Sequence, residues 1–535
     1  MGPEAVFRFR NLPQGPGRIE VQVHGHRSPV AVVVDGVILG NVAPGVPAAD
    51  FGVAPIRGHA LDVALRTEGF VTADGRRLGA LVDRVSFRHA APTWPAPILV
   101  LGFLGVALAS AWAAGACGFG PAVALAVAVG LSVVQFLTLY PLGIARSAYA
   151  TTLALLLAGA ALVAGLLGRA AGRRWPGAAG WTFATLMVVA LVQGLCATSP
   201  LMVVSDAVFH ANKLVAVASG DFFPTSLTQH ARPFRIPYGV SFYVLLAPLY
   251  RGGLDGVTLV RFGAAASGIL ASLVLYGLLL PLGTTRAAAA AVMLQLLPGT
   301  FDVYSYGNLS NVFGQAMTVT FFAWWAAKGP LGPLVGGGLL FLGATSHLSS
   351  LIVLAVLVPA LLVLGGEEGR GDRRRLLAVV LGFGLAGLYY LQFRALVLEQ
   401  APRLLEGGGQ GRGDAMGAWG ALRLQVLGAL GQWGLPALAL AWLGRPRRPF
   451  RGLDRELLAF WAAGAALVLP AVFTPLDVRY LYALSLPVAI ASGRALCRMF
   501  EAGGARRWAG AALFAAQLLL AGRGILEAVL HRYRA

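Results

Sequence analysis

Two hydropathy patterns divide the chain. Up to about residue 91, apolar residues come in short, partly alternating runs such as VAVVVDGVIL, HALDVALRTEGF and LGALVDRVSFR, separated by Gly, Pro and Asp turns such as ADGRR. Alternation sends successive side chains to opposite faces, and β-branched residues suit a pleated surface, so residues 1–91 predict a small all-β sandwich. From about residue 92 the runs become long and continuously apolar. Runs near the roughly 20 residues needed to cross a bilayer predict a polytopic α-helical membrane protein, whose helices satisfy their own backbones. About 14 spans follow, at 95–114, 119–140, 148–168, 179–198, 256–280, 286–299, 309–327, 331–346, 349–365, 376–396, 425–443, 457–473, 479–496 and 508–523. A membrane β-barrel is excluded, because its strands would alternate apolar and polar residues. The organisation expected is a β domain (1–91), accessory transmembrane helices (92–175) and a transmembrane core (176–525) with a long loop at 199–256.

Composition agrees: of 535 residues 57% are hydrophobic and only 12% charged, against about 25% charged in soluble domains. The net charge of +19 changes the picture only through its placement. Arginines gather in short loops: Arg169, Arg173 and Arg174; Arg370 and Arg373–Arg375; Arg445, Arg447, Arg448, Arg451 and Arg455; Arg498, Arg506 and Arg507. Such clusters beside spans mark the cytoplasmic side, so they read as topology signals and not as a nucleic-acid surface. Cys117, Cys196 and Cys497 sit in or beside spans without metal-ligand spacing and imply no disulfide framework.

Charge parity also decides the segment PYGVSFYVLLAPLY (Pro237–Tyr250). If it crossed, Arg169–Arg174 and Arg370–Arg375 would lie on opposite sides; if it lies on the surface, every basic cluster is cytoplasmic. It is therefore read as non-spanning. The loops 199–256, 300–308, 345–349, 398–424 and 474–479 then share the outer face, periplasmic or extracellular, of an inner or plasma membrane. The β domain is expected on that face too, although the sequence starts MGPEAVFRFR without an apolar signal segment.

The loop between Ala197 and Val257 concentrates polar groups where burial is costly: Asp206, Asp221, His210, His230 and a set of basic and aromatic residues. On a helix, residues four apart share a face, so Asp206 and His210 project together with Lys213 near by. A carboxylate beside an imidazole suits general-base work or a divalent metal, Mg or Mn. Asp206 equally suits a helix N-cap, since Ser205-Asp206 precedes an apolar helix.

These residues carry a family resemblance. An acid after a span, a short amphipathic helix, Ser-Gly-Asp-Phe-Phe-Pro, Arg-Pro-Phe-Arg-Ile-Pro-Tyr-Gly and an apolar half-helix ending Ala-Pro-Leu-Tyr resemble the first outer loop of GT-C glycosyltransferases, such as aminoarabinose transferases and protein O-mannosyltransferases. The resemblance implies two juxtamembrane helices, Asp206–Ser219 and Pro237–Tyr250, with Asp206 in the place of the family's catalytic base or metal-contacting acid. Ala207 and Val208 stand where the family's second acid would be, so a metal is allowed but not required. Asp477-Val-Arg-Tyr-Leu-Tyr-Ala-Leu-Ser-Leu-Pro487 is similar to the family's late Arg-Tyr…Pro segment, which implies Arg479 and Tyr480 at the donor. A guanidinium at that depth suits the phosphate of a polyprenyl-phosphate sugar, with Arg232, Arg235 and Lys213 as further candidates; an interfacial anchor, or a pair with Asp477, is the other reading of Arg479. Likewise Arg77–Arg88 resembles the closing strand of jelly-roll domains that precede the spans in some bacterial membrane glycosyltransferases. That domain is a carbohydrate binder or a structural cap.

Further residues share the outer face. PGTFDVYSYGNLSNVFGQ offers Asp302, Tyr306 and Asn308, where aromatics and amides suit a sugar as well as they suit a Tyr belt and helix caps. Asp302 stands where some family members carry a second outer acid. Asp221 and His347 complete the substrate-binding candidates. EGGGQGRGDAMG (Glu406–Gly417) lacks the lysine and spacing of a phosphate loop and reads as a flexible outer loop. The function expected is an inverting transfer of a sugar from a polyprenyl-phosphate donor to a hydroxyl of a glycan, lipid or protein acceptor. The rivals are a transporter or lipid-linked glycan flippase, and a catalytically inactive sugar-binding assembly protein.

Overall fold

The structure is a computed structural model that describes the chain except residues 1–3, 11, 13, 57–58, 72–76, 90–95, 140–146, 199–205, 228–234, 306, 328–331, 366–371, 400–430, 432, 447–451, 474–483 and 527–535. It divides into two compact units, residues 1–172 and 173–535.

The first unit opens with the β domain. Strands β1 (Glu4–Arg10), β2 (Gly15–His24), β3 (Val30–Val34), β4 (Val37–Val42), β5 (Ala48–Ile56), β6 (Ala60–Thr67) and β9 (Leu81–His89) form two antiparallel sheets, ordered β1-β6-β3-β4 and β5-β2-β9. Alternation does what it predicts: Ile19, Val21 and Val23 of β2 and Leu61, Val63 and Leu65 of β6 are buried, and with Val30, Val32 and Phe87 they fill the core. Asp35 and Gly36, both at positive φ, make the two-residue turn between β3 and β4 that suits a twisted hairpin. The segment read as one closing strand is two elements. Arg77-Leu78 is β8, paired with β7 (Phe70–Val71), and only Leu81–His89 closes the domain, pairing with β2 at a sheet edge. Helices α1 (Pro97–Ala116), α2 (Pro121–Leu139) and α3 (Ser147–Arg174) follow, with α1 packed against α2 and, at Gly102 and Gly165, against α3.

The second unit is helical: α4 (Ala178–Thr198), α5 (Ala207–Ala218), α6 (Ser241–Arg251), α7 (Gly256–Leu279), α8 (Thr284–Gln295), α9 (Pro298–Ser305), α10 (Leu309–Ala326), α11 (Pro333–Ala344), α12 (Leu348–Leu364), α13 (Arg373–Leu391), α14 (Leu435–Gly444), α15 (Leu453–Phe473), α16 (Ser485–Ala502) and α17 (Gly504–Leu526). A helix lies at each expected span. Among the described residues six helices are long and apolar enough to cross a membrane: α1, residues 151–174 of α3, α4, α7 with its 3-10 extension, α13 and α17. Seven qualify if α8 and α9, bent by 58°, count as one broken span. Some of the other helices are too short to cross alone: α11, with 12 residues, reaches only about 18 Å, short of a hydrocarbon core of about 30 Å.

Polar side chains join these helices where burial makes an unpaired group expensive. Gln193 Nε2 of α4 donates to Gln295 Oε1 of α8 at 2.7 Å, and Gln295 Nε2 donates to Ser272 Oγ of α7 at 2.6 Å. At the α8–α9 bend the carbonyls freed from the helical ladder find side chains: Leu294 accepts from Thr300 Oγ1 at 2.9 Å and Leu296 from Gln517 Nε2 of α17 at 2.8 Å.

Candidate functional site

Helix α5 occupies the place read as Asp206–Ser219, with those two residues as its caps. Its apolar positions recur at helical spacing, so His210, Ala211, Leu214 and Val217 are buried while Val208 and Val215 face outward. Helix α6 is 11 residues long, about 16 Å, too short to cross; it buries Ser241, Phe242 and Tyr243 and exposes Val244, Leu245 and Leu249. Arg251 closes the α5–α6 pair by donating from Nε to the Ala218 carbonyl at the end of α5 at 2.9 Å, where a cation also suits the helix dipole. A short ladder not expected from the sequence, β10 (Thr225–Leu227) with β11 (Arg235–Pro237), joins the two helices. Lys213 Nζ ties it down by donating to the Thr225 carbonyl at 2.6 Å.

The cap reading of Asp206 fails at the side chain. Its backbone carbonyl takes the His210 N–H at 2.9 Å, but its carboxylate makes no cap hydrogen bond. The half-buried residue instead backs onto the turn between α9 and α10. Gly307 there has φ +73°, and a Cβ on it would lie 2.7 Å from Asp206 N and 2.8 Å from Asp206 Cβ, so both backbone conformation and space require glycine.

His210 has a different part from the base or metal ligand expected of it. It is 2% exposed, and both ring nitrogens are committed: Nε2 lies 2.6 Å from the Gly307 carbonyl and Nδ1 lies 2.6 Å from the Tyr243 hydroxyl. A carbonyl only accepts, so Nε2 carries the proton; in the neutral ring Nδ1 then accepts from Tyr243. No lone pair is left for a metal, and the residue pins α5 between α6 and the Gly307 turn. Among the described residues no group of three or more His, Cys, Asp or Glu side chains comes together to hold a metal. Asp206 and His210 therefore do not fit as a metal-ligand pair.

Tyr238 and Tyr243, which sequence reasoning missed, pack around His210, one helical turn from Asp206. Burial drives the Tyr243 phenol well above its usual range, reinforced by Tyr238 and the Asp206 charge, so it stays a hydrogen-bond donor. Tyr238 packs edge-on to Phe209 (centroids 5.3 Å apart) and to His347 (5.8 Å). Lys213 Nζ lies 5.3 Å from the Phe209 ring centroid and 6.0 Å from that of Tyr238; burial lowers its pKa, while Asp221 opposes the shift. The segment 238–241 is strapped to the α11–α12 turn. Val240 N–H donates to the Thr345 carbonyl at 2.7 Å, Ser241 and Thr345 join their hydroxyls, and Tyr389 Oη donates to the Tyr238 carbonyl at 2.7 Å. The only advance signal for the tyrosines lies in Tyr238 just before, and Tyr243 within, the buried first turn of an amphipathic segment.

The remaining candidates divide. His347 reaches the cluster through Tyr238, while its Nδ1 caps α12 by accepting from Ser349 N at 3.1 Å. Asn308 is buried at the start of α10 beside Gly307. Asp302 is half-buried in α9. Asp221 is exposed and accepts from Phe223 N at 3.2 Å, and Arg235 is exposed on β11. Arg232, Tyr306, Arg479, Tyr480 and the glycine-rich segment 406–417 lie outside the described residues. The structure thus brings Asp206, His210, Lys213, Asn308 and His347 to one place: an acid near an aromatic cluster with a lysine at its edge. No protein-family profile and no curated protein matches the chain.

Proposed function

We propose that the chain is a GT-C-type membrane glycosyltransferase with about 14 spans, moving a sugar from a polyprenyl-phosphate donor to an acceptor hydroxyl at the outer face. The observation that carries this reading is Asp206: half-buried, its carboxylate not capping α5, and close enough to Tyr243 for its charge to act on that phenol. The half-buried Tyr238 offers an aromatic face for a sugar's apolar face, and a carboxylate near that stack takes the acceptor's proton as its oxygen attacks the anomeric carbon. The acceptor–carbon bond forms as the bond to the leaving phosphate breaks, inverting the centre. Lys213 at the rim, and Arg479 of the late loop, supply charge to that phosphate.

The test is reconstitution with a panel of polyprenyl-phosphate sugars, following release of polyprenyl phosphate. Wild-type protein is expected to turn over at least one donor, and Asp206→Asn to lower turnover by about 10²–10⁴-fold with unchanged thermal stability. Equal rates for the two proteins would sink the mechanism. The 58° break between α8 and α9 supports a second reading, since discontinuous helices also line transporter sites. Substrate uptake into sealed vesicles without a transfer product would establish it.

A further inference from the structure

Four arginines that the sequence scatters over some two hundred positions converge on one cavity of about 320 Å³ in the second unit. Arg286 comes from the first turn of α8, Arg445 from the end of α14, and Arg494 and Arg498 from α16, where spacing by four puts both on one face with Ile490. Asp454, at the start of α15, is the one acid among the described residues of the wall, and it is paired with Arg494. Just outside, Glu501 lies 3.5 Å from Arg286, but the side chains are 61% and 46% exposed, so this pair is weak. The described lining thus sets four arginines against one acid, with Glu501 outside it.

The arginines are held as a binding surface would hold them. Arg445 stacks 3.9 Å above the Trp442 ring and donates from Nη1 to the Trp442 carbonyl, which fixes the plane of its guanidinium. Arg498 donates from Nη2 to the Gly444 carbonyl at 3.2 Å. Planar, oriented guanidinium groups are matched to phosphate oxygens. The remaining wall is apolar, made by Leu279, Leu282 and Ile490, and Leu282 and Trp442 are 46% and 67% exposed. A tryptophan in that position belongs at headgroup depth.

We infer that this cavity binds a phosphate group, presented by the headgroup of an anionic phospholipid whose acyl chains lie along the Leu279–Leu282 edge. A topology signal needs only charge near the membrane; it needs neither a cavity nor arginines gathered from three helices. The inference is independent of any sugar transfer at Asp206.

The test uses the full-length protein in nonionic detergent. Its thermal unfolding is followed while phosphatidylglycerol, phosphatidylcholine of the same chains, or inorganic phosphate is added at constant ionic strength. Phosphatidylglycerol is expected to raise the Tm saturably and phosphatidylcholine not to. The double variant R286Q/R445Q should weaken apparent binding by about tenfold or more, and Glu501→Gln, which changes only a surface acid, should tighten it. Inorganic phosphate acting as strongly as the lipid would keep the anion site and reassign its ligand to free phosphate. A lipid shift unchanged in R286Q/R445Q, equal shifts from the two lipids, or unchanged affinity in Glu501→Gln would each overturn the proposal. The last readout stands even if the double variant does not fold.

Discussion

At the scale of residues, the site depends on Gly307 and His210 as much as on Asp206. Gly307→Ala would add a methyl group at positive φ and drive it into the Asp206 backbone. A loss of about 1–3 kcal/mol is expected in thermal or chemical denaturation, together with lost turnover, because α5 must move. His210→Phe puts a somewhat larger apolar ring in its place and leaves the Gly307 carbonyl without its donor, at about 1–3 kcal/mol, while the Tyr243 hydroxyl keeps Tyr238 and Ser310. Any residual activity should keep the wild-type pH profile, because His210 positions Asp206 and holds no proton for the reaction; a lost pH limb would restore it as an acid or base. Spacing by four placed Asp206 and His210 on one face, and that much was legible. What the face meets was not: Tyr243 is 33 residues away and Gly307 is 97, and no local pattern links them.

At the scale of elements, α5 and α6 were readable because each carries a short apolar stripe with polar ends, whereas β10 and β11 were not. Three-residue strands carry too little alternation to register, and theirs is held by Lys213 and the packing around it. In the β domain, strands β2 and β9 are linked through Glu20. It accepts from Arg88 Nη2 at 2.8 Å, Ser86 Oγ at 3.1 Å and Gln22 Nε2 at 2.8 Å. Burial alone would raise its pKa, but these bonds, with Arg88 and Arg84, outweigh it and hold the pKa below the ordinary 4.5. A carboxyl depressed in the folded state stabilises fully above the unfolded value and loses that contribution as pH falls through the folded one. The protection factors of the β2 and β9 amides against hydrogen exchange should therefore be flat above about pH 5 and fall below pH 4.5. Glu20→Gln should remove this acid limb; an unchanged limb would refute the assignment.

At the scale of the molecule, the sidedness proposed from charge placement is open to direct measurement. In a background lacking Cys117, Cys196 and Cys497, a cysteine at the exposed Ser219, just after α5, should react with a membrane-impermeant maleimide in intact cells. One at the exposed Arg506 should react only after permeabilisation. Labelling of both from the same side would remove the topology and the outer-face site with it.

The sequence by itself determined the class of the protein, the change from a small β domain to apolar helices near residue 92, and the short helices that flank the loop. These features live in periodicity and run length, which are local properties of the chain. Only the tertiary structure decided which residues meet. Helices apolar on nearly every side state no preferred partner, so the sequence could not say that His210 is spent on Gly307 and Tyr243, or that Arg286, Arg445, Arg494 and Arg498 share one cavity. It also decided length: several apolar runs fold into helices bent or too short to cross alone, because breaks such as that between α8 and α9 are stabilised by distant groups such as Gln517.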